Sequence, residues 1–153
     1  MMKIAAAMTM VLLLAMSSLP AGGKAGDRKT FTTNKHVEVE LRAPGKISSE
    51  KEQGLAFFLT PVDGIHINTT PAFELLLEKN SQFELAGKAR FSKDEHGYLD
   101  TDKPVEFFIK TKSGIPSGRQ TIKGKLNYFY CSDKEGWCNR FSQPFEVSID
   151  VAK

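Results

Sequence analysis

Cysteine is scarce in this sequence: two residues, Cys131 and Cys138, among 153. That scarcity excludes the multi-disulfide framework that holds together much smaller secreted domains. A structural zinc site is excluded too, because neither CxxC nor any other metal-ligand spacing occurs. Long apolar runs are also missing. Spanning a bilayer takes about 18 or more such residues, and the one run near the N-terminus is shorter. Charge is nearly balanced, with 21 Lys and Arg against 18 Asp and Glu mixed along the chain. This gives no footing to nucleic-acid binding or to stable membrane insertion. There is no internal repeat, low-complexity tract or heptad pattern. No phosphate-binding glycine loop, nucleotide fingerprint, nucleophile–base triad or paired catalytic carboxylate is recognisable. Hydrolase, kinase and dehydrogenase chemistry therefore has no support.

What the sequence does contain starts with a compartment signal. A positive n-region ending at Lys3 precedes the apolar run Ile4 to Met16, and the small, turn-prone stretch Ser17 to Gly23 follows. Residues 1–23 read as a cleaved secretory signal peptide, which places the remainder in an oxidising, extracytoplasmic space. Residues 24–34 read as a short flexible leader. Residues 35–153 form one domain, long enough for a sizeable core.

That domain is written in the period of two. Val37, Val39 and Leu41 alternate with polar neighbours, and Leu55–Leu59, Ile65–Ile67, Phe73–Leu77 and Val105–Ile109 are short strand-like runs. Turn signals separate them, among them Pro61 to Gly64, Thr70-Pro71 and Ser113 to Gly118. Seven or eight short strands so punctuated predict an all-β, immunoglobulin-like antiparallel β-sandwich. Only Phe73 to Lys79 is ambiguous between strand and helix.

Parity is most informative in the last two strands. Ile122, Leu126, Tyr128 and Tyr130 share one face with Gly124, and Phe141, Phe145, Val147, Ile149 and Val151 share one face of the next strand. Those faces carry the apolar load and are assigned to the core. Cys131 and Cys138 both have the opposite parity, so their sulfurs point to the same outer side of the hairpin. Phe129 points there as well. Residues facing each other on antiparallel strands lie within reach of a disulfide. Such a bond is open to two readings. A staple across about eight residues contributes only roughly 2.5 kcal/mol in the chain-entropy model. A reversible pair suits the position beside a tip loop.

The hairpin Gly124-Lys-Leu-Asn-Tyr-Phe-Tyr-Cys131 with Gly136-Trp-Cys138, and the segment Asp63-Gly-Ile-His-Ile-Asn68 with Thr70-Pro71, resemble a known family. It is the N-terminal, immunoglobulin-like periplasmic domain of DsbD-type thiol:disulfide interchange proteins, together with the related stand-alone disulfide bond corrector domains. The resemblance spans roughly residues 35 to 151. It implies a periplasmic protein whose Cys131 and Cys138 pass electrons, without a cofactor, from a thioredoxin-like or membrane-embedded thiol reductant to client proteins. If that implied electron transfer is enzymatic, the resemblance makes it a protein-disulfide reductase-type oxidoreductase activity. The family shields its cysteines with an acidic–acidic–aromatic loop. Asp94, Glu95 and His96 stand in the matching places, with Tyr98 nearby, while His66 and Asn68 occupy two positions that are aromatic in the family. The cysteine spacing is slightly wider than in the family.

Two alternatives from other classes stand beside this reading. A non-catalytic sandwich module with a structural disulfide would present Trp137 and Phe129 as an aromatic docking patch, or fold Trp137 back over the hairpin. A periplasmic copper-binding protein would need two thiols and two of His36, His66 and His96 to converge. Either cysteine can be the attacking thiol on sequence grounds.

Overall fold

Alternating apolar and polar residues build ten strands in the computed structural model, which describes residues 26–49 and 51–152. In chain order they are β1 (Arg28–Asn34), β2 (Val37–Arg42), β3 (Lys46–Ser48), β4 (Gln53–Pro61), β5 (Ile65–Asn68), β6 (Glu74–Leu77), β7 (Phe83–Leu85), β8 (Val105–Thr111), β9 (Gly118–Ser132) and β10 (Trp137–Ala152). One sheet has the order β1-β2-β4-β8-β7; the other runs β3-β10-β9-β5, with β6 pairing a second stretch of β9. All pairings are antiparallel except β3 with β10, which is parallel. The architecture is the expected all-β sandwich. The signal-peptide assignment lies outside the described residues.

Ten strands form where the pattern predicts seven or eight, because three are too short or too polar to show a period. Residues 28–34, read as part of a flexible leader, instead form β1 and pair with β2 from Arg28↔Arg42 to Asn34↔Val37. Only Phe31 gives that edge strand a large apolar side chain, so its pairing left no alternation to read. β3 and β7 have three residues each. The ambiguous stretch around Phe73 becomes β6, an edge strand on β9.

The core forms where the two inner faces meet. Val37, Val39 and Leu41 of β2, Leu55, Phe57 and Leu59 of β4, and Val105, Phe107 and Ile109 of β8 are buried on one side. Ile122, Leu126, Tyr128 and Tyr130 of β9 oppose them, with Phe145, Val147, Ile149 and Val151 of β10. Phe57 and Phe145 interlock edge to face with centroids 5.4 Å apart. This is how aligned sandwiches fill the space between sheets. The parity assigned to β9 and β10 holds along both strands, although Phe141 is only partly buried.

One polar contact is sealed inside. Asn34 Nδ2 donates to the Tyr128 hydroxyl at 3.0 Å, tying the end of β1 to the middle of β9. Burial pushes the Tyr128 pKa up from 10.0 to about 12, against the smaller opposing effect of the Asn34 bond. The folded state thus holds this proton more tightly than the unfolded chain does. Its share of stability is intact below about pH 10 and is lost as the pH climbs towards 12. Tyr128→Phe should cost about 1–2 kcal/mol at neutral pH, since it leaves the buried Asn34 amide without its acceptor. The variant should also lack this alkaline component. Urea unfolding of both proteins at neutral and alkaline pH checks the two effects together.

Candidate functional site

The two cysteines lie at the turn end of the β9–β10 hairpin and are directly opposed, Cys131↔Cys138. They are joined in a disulfide with Cα atoms 4.1 Å apart. The strands continue past them to Ser132 and Trp137, so the connecting turn is Asp133 to Gly136. Gly136 adopts a positive φ of 69°, a conformation that side-chain-bearing residues seldom take.

Parity puts the sulfurs on the outer face, and β5 gives that face its second wall. β5 pairs with β9 so that His66 lies opposite Cys131 and Asn68 opposite Phe129. Across three strands this makes one row of His66, Cys131 and Cys138. The next row is Asn68, Phe129 and Arg140. Asn68 Nδ2 donates to Cys131 Sγ at 3.0 Å, along the diagonal between rows. The Arg140 guanidinium sits 6.0 Å from the Phe129 ring centre and 3.5 Å from Glu74, which adds a fixed positive charge beyond the sulfurs.

The two sulfur-bearing residues differ sharply in access. Cys131 is 4% exposed, whereas Cys138 is open to solvent. His66 and the loop after Phe91 form the cover on the Cys131 side. The Tyr98 ring stacks on His66 with centroids 3.8 Å apart and planes 24° from parallel. His66 Nδ1 lies 3.3 Å from Asp133 Oδ2, which reaches in from the tip turn.

The covering loop is built by its own side chains. Asp94 Oδ1 accepts hydrogen bonds from the backbone N–H groups of His96 and Tyr98, both at 2.9 Å. Gly97 takes the positive φ of 84° that closes this turn. The loop is then fastened to β5: Leu99 N donates to Ile67 O at 2.9 Å, and Thr69 Oγ1 donates to Gly97 O at 2.8 Å. Tyr98, not His96, is the ring turned towards the site. His96 and Glu95 sit exposed at the loop tip, 3.5 Å apart, and Asp94 shapes the turn.

The sequence-derived residues therefore sort into three groups. His66, Asn68, Phe129 and Tyr98 gather with Cys131 and Cys138. Asp94, Glu95 and His96 belong to the loop that delivers Tyr98. Trp137 lies on the reverse side of the hairpin, 5.8 Å from the Tyr130 ring and 5.1 Å from that of His36. Its indole N–H donates to Glu135. Adjacent residues on a strand point to opposite faces, so closeness to Cys138 in sequence puts Trp137 away from the sulfurs. Trp137 folds back over the hairpin, and the exposed Trp137–Phe129 patch is not formed. Nor do two histidines converge on the cysteines, since His36 packs behind them and His96 points outward. Among the described residues no cluster of three or more His, Cys, Asp or Glu could hold a metal. Asp133, which sequence nearness marks only as a charge beside the thiols, makes its contact with His66 instead.

Comparison with known proteins adds the fold and stops there. No family model matches the chain, and no curated protein matches it. Among solved structures, the GAE domain of GGA2p from Saccharomyces cerevisiae is similar, with a TM-score of 0.51 at 16% identity over 79% of this chain and 97% of that one. The yeast GGA1 GAE domain gives a TM-score of 0.45 at 15% identity, covering 79% of this chain and 98% of its own. A cohesin module from a Clostridium perfringens family 33 glycoside hydrolase gives 0.40 at 9% identity, over 76% and 96%. At such identity the likeness to the GGA2p domain shows a shared immunoglobulin-like β-sandwich and carries no chemistry across.

Proposed function

We propose that this protein is a periplasmic thiol–disulfide exchange protein, a protein-disulfide reductase-type oxidoreductase whose Cys131–Cys138 pair carries electrons. A thioredoxin-like or membrane-embedded dithiol supplies them, and client protein disulfides receive them. The observation that carries this reading is the asymmetry of the pair: an open Cys138 beside a covered Cys131, on the sheet face turned away from the other sheet.

The chemistry follows from that asymmetry. A donor thiolate attacks Cys138 Sγ, the S–S bond breaks, and its electron pair leaves on Cys131 Sγ. The donor's second thiolate then attacks its own sulfur in the mixed disulfide and frees Cys138. Two electrons have moved, the donor ends as a disulfide and this protein as a dithiol. On the client side, the Cys138 thiolate attacks a client disulfide. Cys131 then attacks Cys138 Sγ, which restores the pair and releases the client as a dithiol. The Asn68 amide, 3.0 Å from Cys131 Sγ, is placed to stabilise the thiolate that leaves. Surface grooves of about 590 and 570 Å³ lie elsewhere, under β6 and behind the hairpin at Trp137. An exposed Cys138 on the outer sheet face suits a protein partner better than a small molecule.

The deciding measurement is the reduction potential of the pair, by equilibration with glutathione. A value above about −300 mV is expected for an exchanging pair. A value well below that marks an inert structural bond and ends the reading.

A further inference from the structure

The row His66, Cys131, Cys138 continues at its far end into Asp133, 3.3 Å from His66 Nδ1. Carboxylate, imidazole and sulfur thus stand in sequence, supplied by the tip turn, by β5 and by β9. Facing residues on paired strands have Cβ atoms about 4.5–5.5 Å apart, which brings an imidazole within reach of the neighbouring sulfur. A carboxylate at Nδ1 holds the proton there and leaves Nε2 as the basic nitrogen. The Tyr98 ring, stacked at 3.8 Å, restrains the imidazole against turning away.

Resting on the exchange reading above, we infer that His66 is the acid–base partner of Cys131 and that Asp133 is the positioning residue that orients it. When a donor thiolate attacks Cys138, the electron pair passes to Cys131 Sγ and a proton on His66 moves to that sulfur. When Cys131 attacks the mixed disulfide, His66 takes the thiol proton back. His66 exchanges that proton with water through its partly open edge, its side chain being 17% exposed. Imidazole suits this task because one ring nitrogen can give and take a proton while the other stays bound to the carboxylate.

The other groups facing this row do not fit the role. The Asn68 amide donates a hydrogen bond but does not titrate. The Tyr98 phenol belongs to the ring stacked on His66. His96 is 6.4 Å from the Tyr98 ring and paired with Glu95 at the loop tip. Arg140 keeps a permanent charge beside Phe129 and Glu74.

The test uses the full-length Cys138→Ser protein, in which Cys131 is the sole thiol, and follows its thiolate by ultraviolet absorbance against pH. His66→Gln should raise the midpoint, lowering the thiolate fraction at neutral pH about tenfold, equivalent to roughly one pKa unit. Asp133→Asn should move the midpoint the same way by a smaller amount. Its sign is decisive, since loss of a negative charge acting directly on the sulfur would lower the midpoint instead. The Asp133 side chain is 76% exposed, so this variant keeps the test open should His66→Gln fold poorly. With both cysteines present, reduction by dithiothreitol should be slower in each variant than in the parent protein. Midpoints that stay put or fall in both variants overturn the role of His66 while exchange by the parent stands. A parent disulfide inert to dithiothreitol ends the exchange reading and takes this inference with it.

Discussion

With Cys131 replaced by alanine, the lone thiol at Cys138 should form a mixed disulfide with oxidised glutathione at least about tenfold faster than Cys131 does in the Cys138→Ala protein. The expectation follows from access. Thiol–disulfide exchange needs three sulfurs nearly in line, and an incoming group can approach Cys138 from solvent. Cys131 is 4% exposed and flanked by His66, Asn68 and the loop that carries Tyr98. A thiolate stabilised by its surroundings is also the weaker nucleophile and the better leaving group, which assigns Cys131 to departure and Cys138 to attack. Mass spectrometry of the adduct against time measures both rates. Equal rates, or a faster Cys131, would contradict the order of steps proposed above. Removal of both cysteines should abolish electron transfer altogether, whereas an interaction module would keep its affinity.

The difference in access between the two sulfurs could not be read from the sequence, although their shared face could. Alternation in β9 and β10 is strong because Ile122, Leu126, Tyr128 and Tyr130, and Phe145, Val147, Ile149 and Val151, share one parity on each strand and are all buried. A pair of cysteines at the opposite parity must then share the outer side. What covers Cys131 comes from farther away. His66 and Asn68 reach it through the pairing of β5 with β9, between segments some 63 residues apart. No local pattern specifies which strand takes the place beside β9. Resemblance to a family singled out His66 and Asn68, and the pairing gives them their contacts.

The covering loop shows the same limit on a smaller scale. Position in the acidic–acidic–aromatic run put His96 where the family has its shielding ring, with Tyr98 nearby. The turn closed by Asp94 Oδ1 and by the positive φ of Gly97 carries His96 outward and Tyr98 inward. A turn of this kind depends on hydrogen-bond geometry that residue order only suggests. Trp137 illustrates the converse, since strict period-two reasoning applied to it would have placed it with Phe141 and away from Cys138. β1 escaped notice for an energetic reason. Its pairing is held by backbone hydrogen bonds to β2 and by the Asn34–Tyr128 contact, and neither leaves an apolar period in the sequence.

The largest effect on stability is expected at Gly124, a residue remote from the sulfurs. Gly124→Val should destabilise the fold by about 3 kcal/mol, the upper end of what overpacking usually costs. A Cβ at this point would stand 2.3 Å from the Leu76 carbonyl oxygen and 3.0 Å from two atoms of the Phe145 ring. The ring could turn, but the carbonyl belongs to β6, whose register with β9 places Leu77 opposite Gly124 and Leu76 opposite Lys125. Relief therefore requires β6 to move off β9. Such movement exposes Leu75, now 3% exposed, and breaks the Glu78 N to Lys123 O bond beyond the strand's end. The cysteine row pairs with β5 rather than β6, so the disulfide should still be reduced at the parent rate in whatever fraction stays folded. Urea unfolding together with the dithiothreitol reduction rate of the folded protein tests both halves. A loss below about 1 kcal/mol would show that β6 yields easily. A normal loss with impaired reduction would instead tie this edge of the sheet to the exchange site.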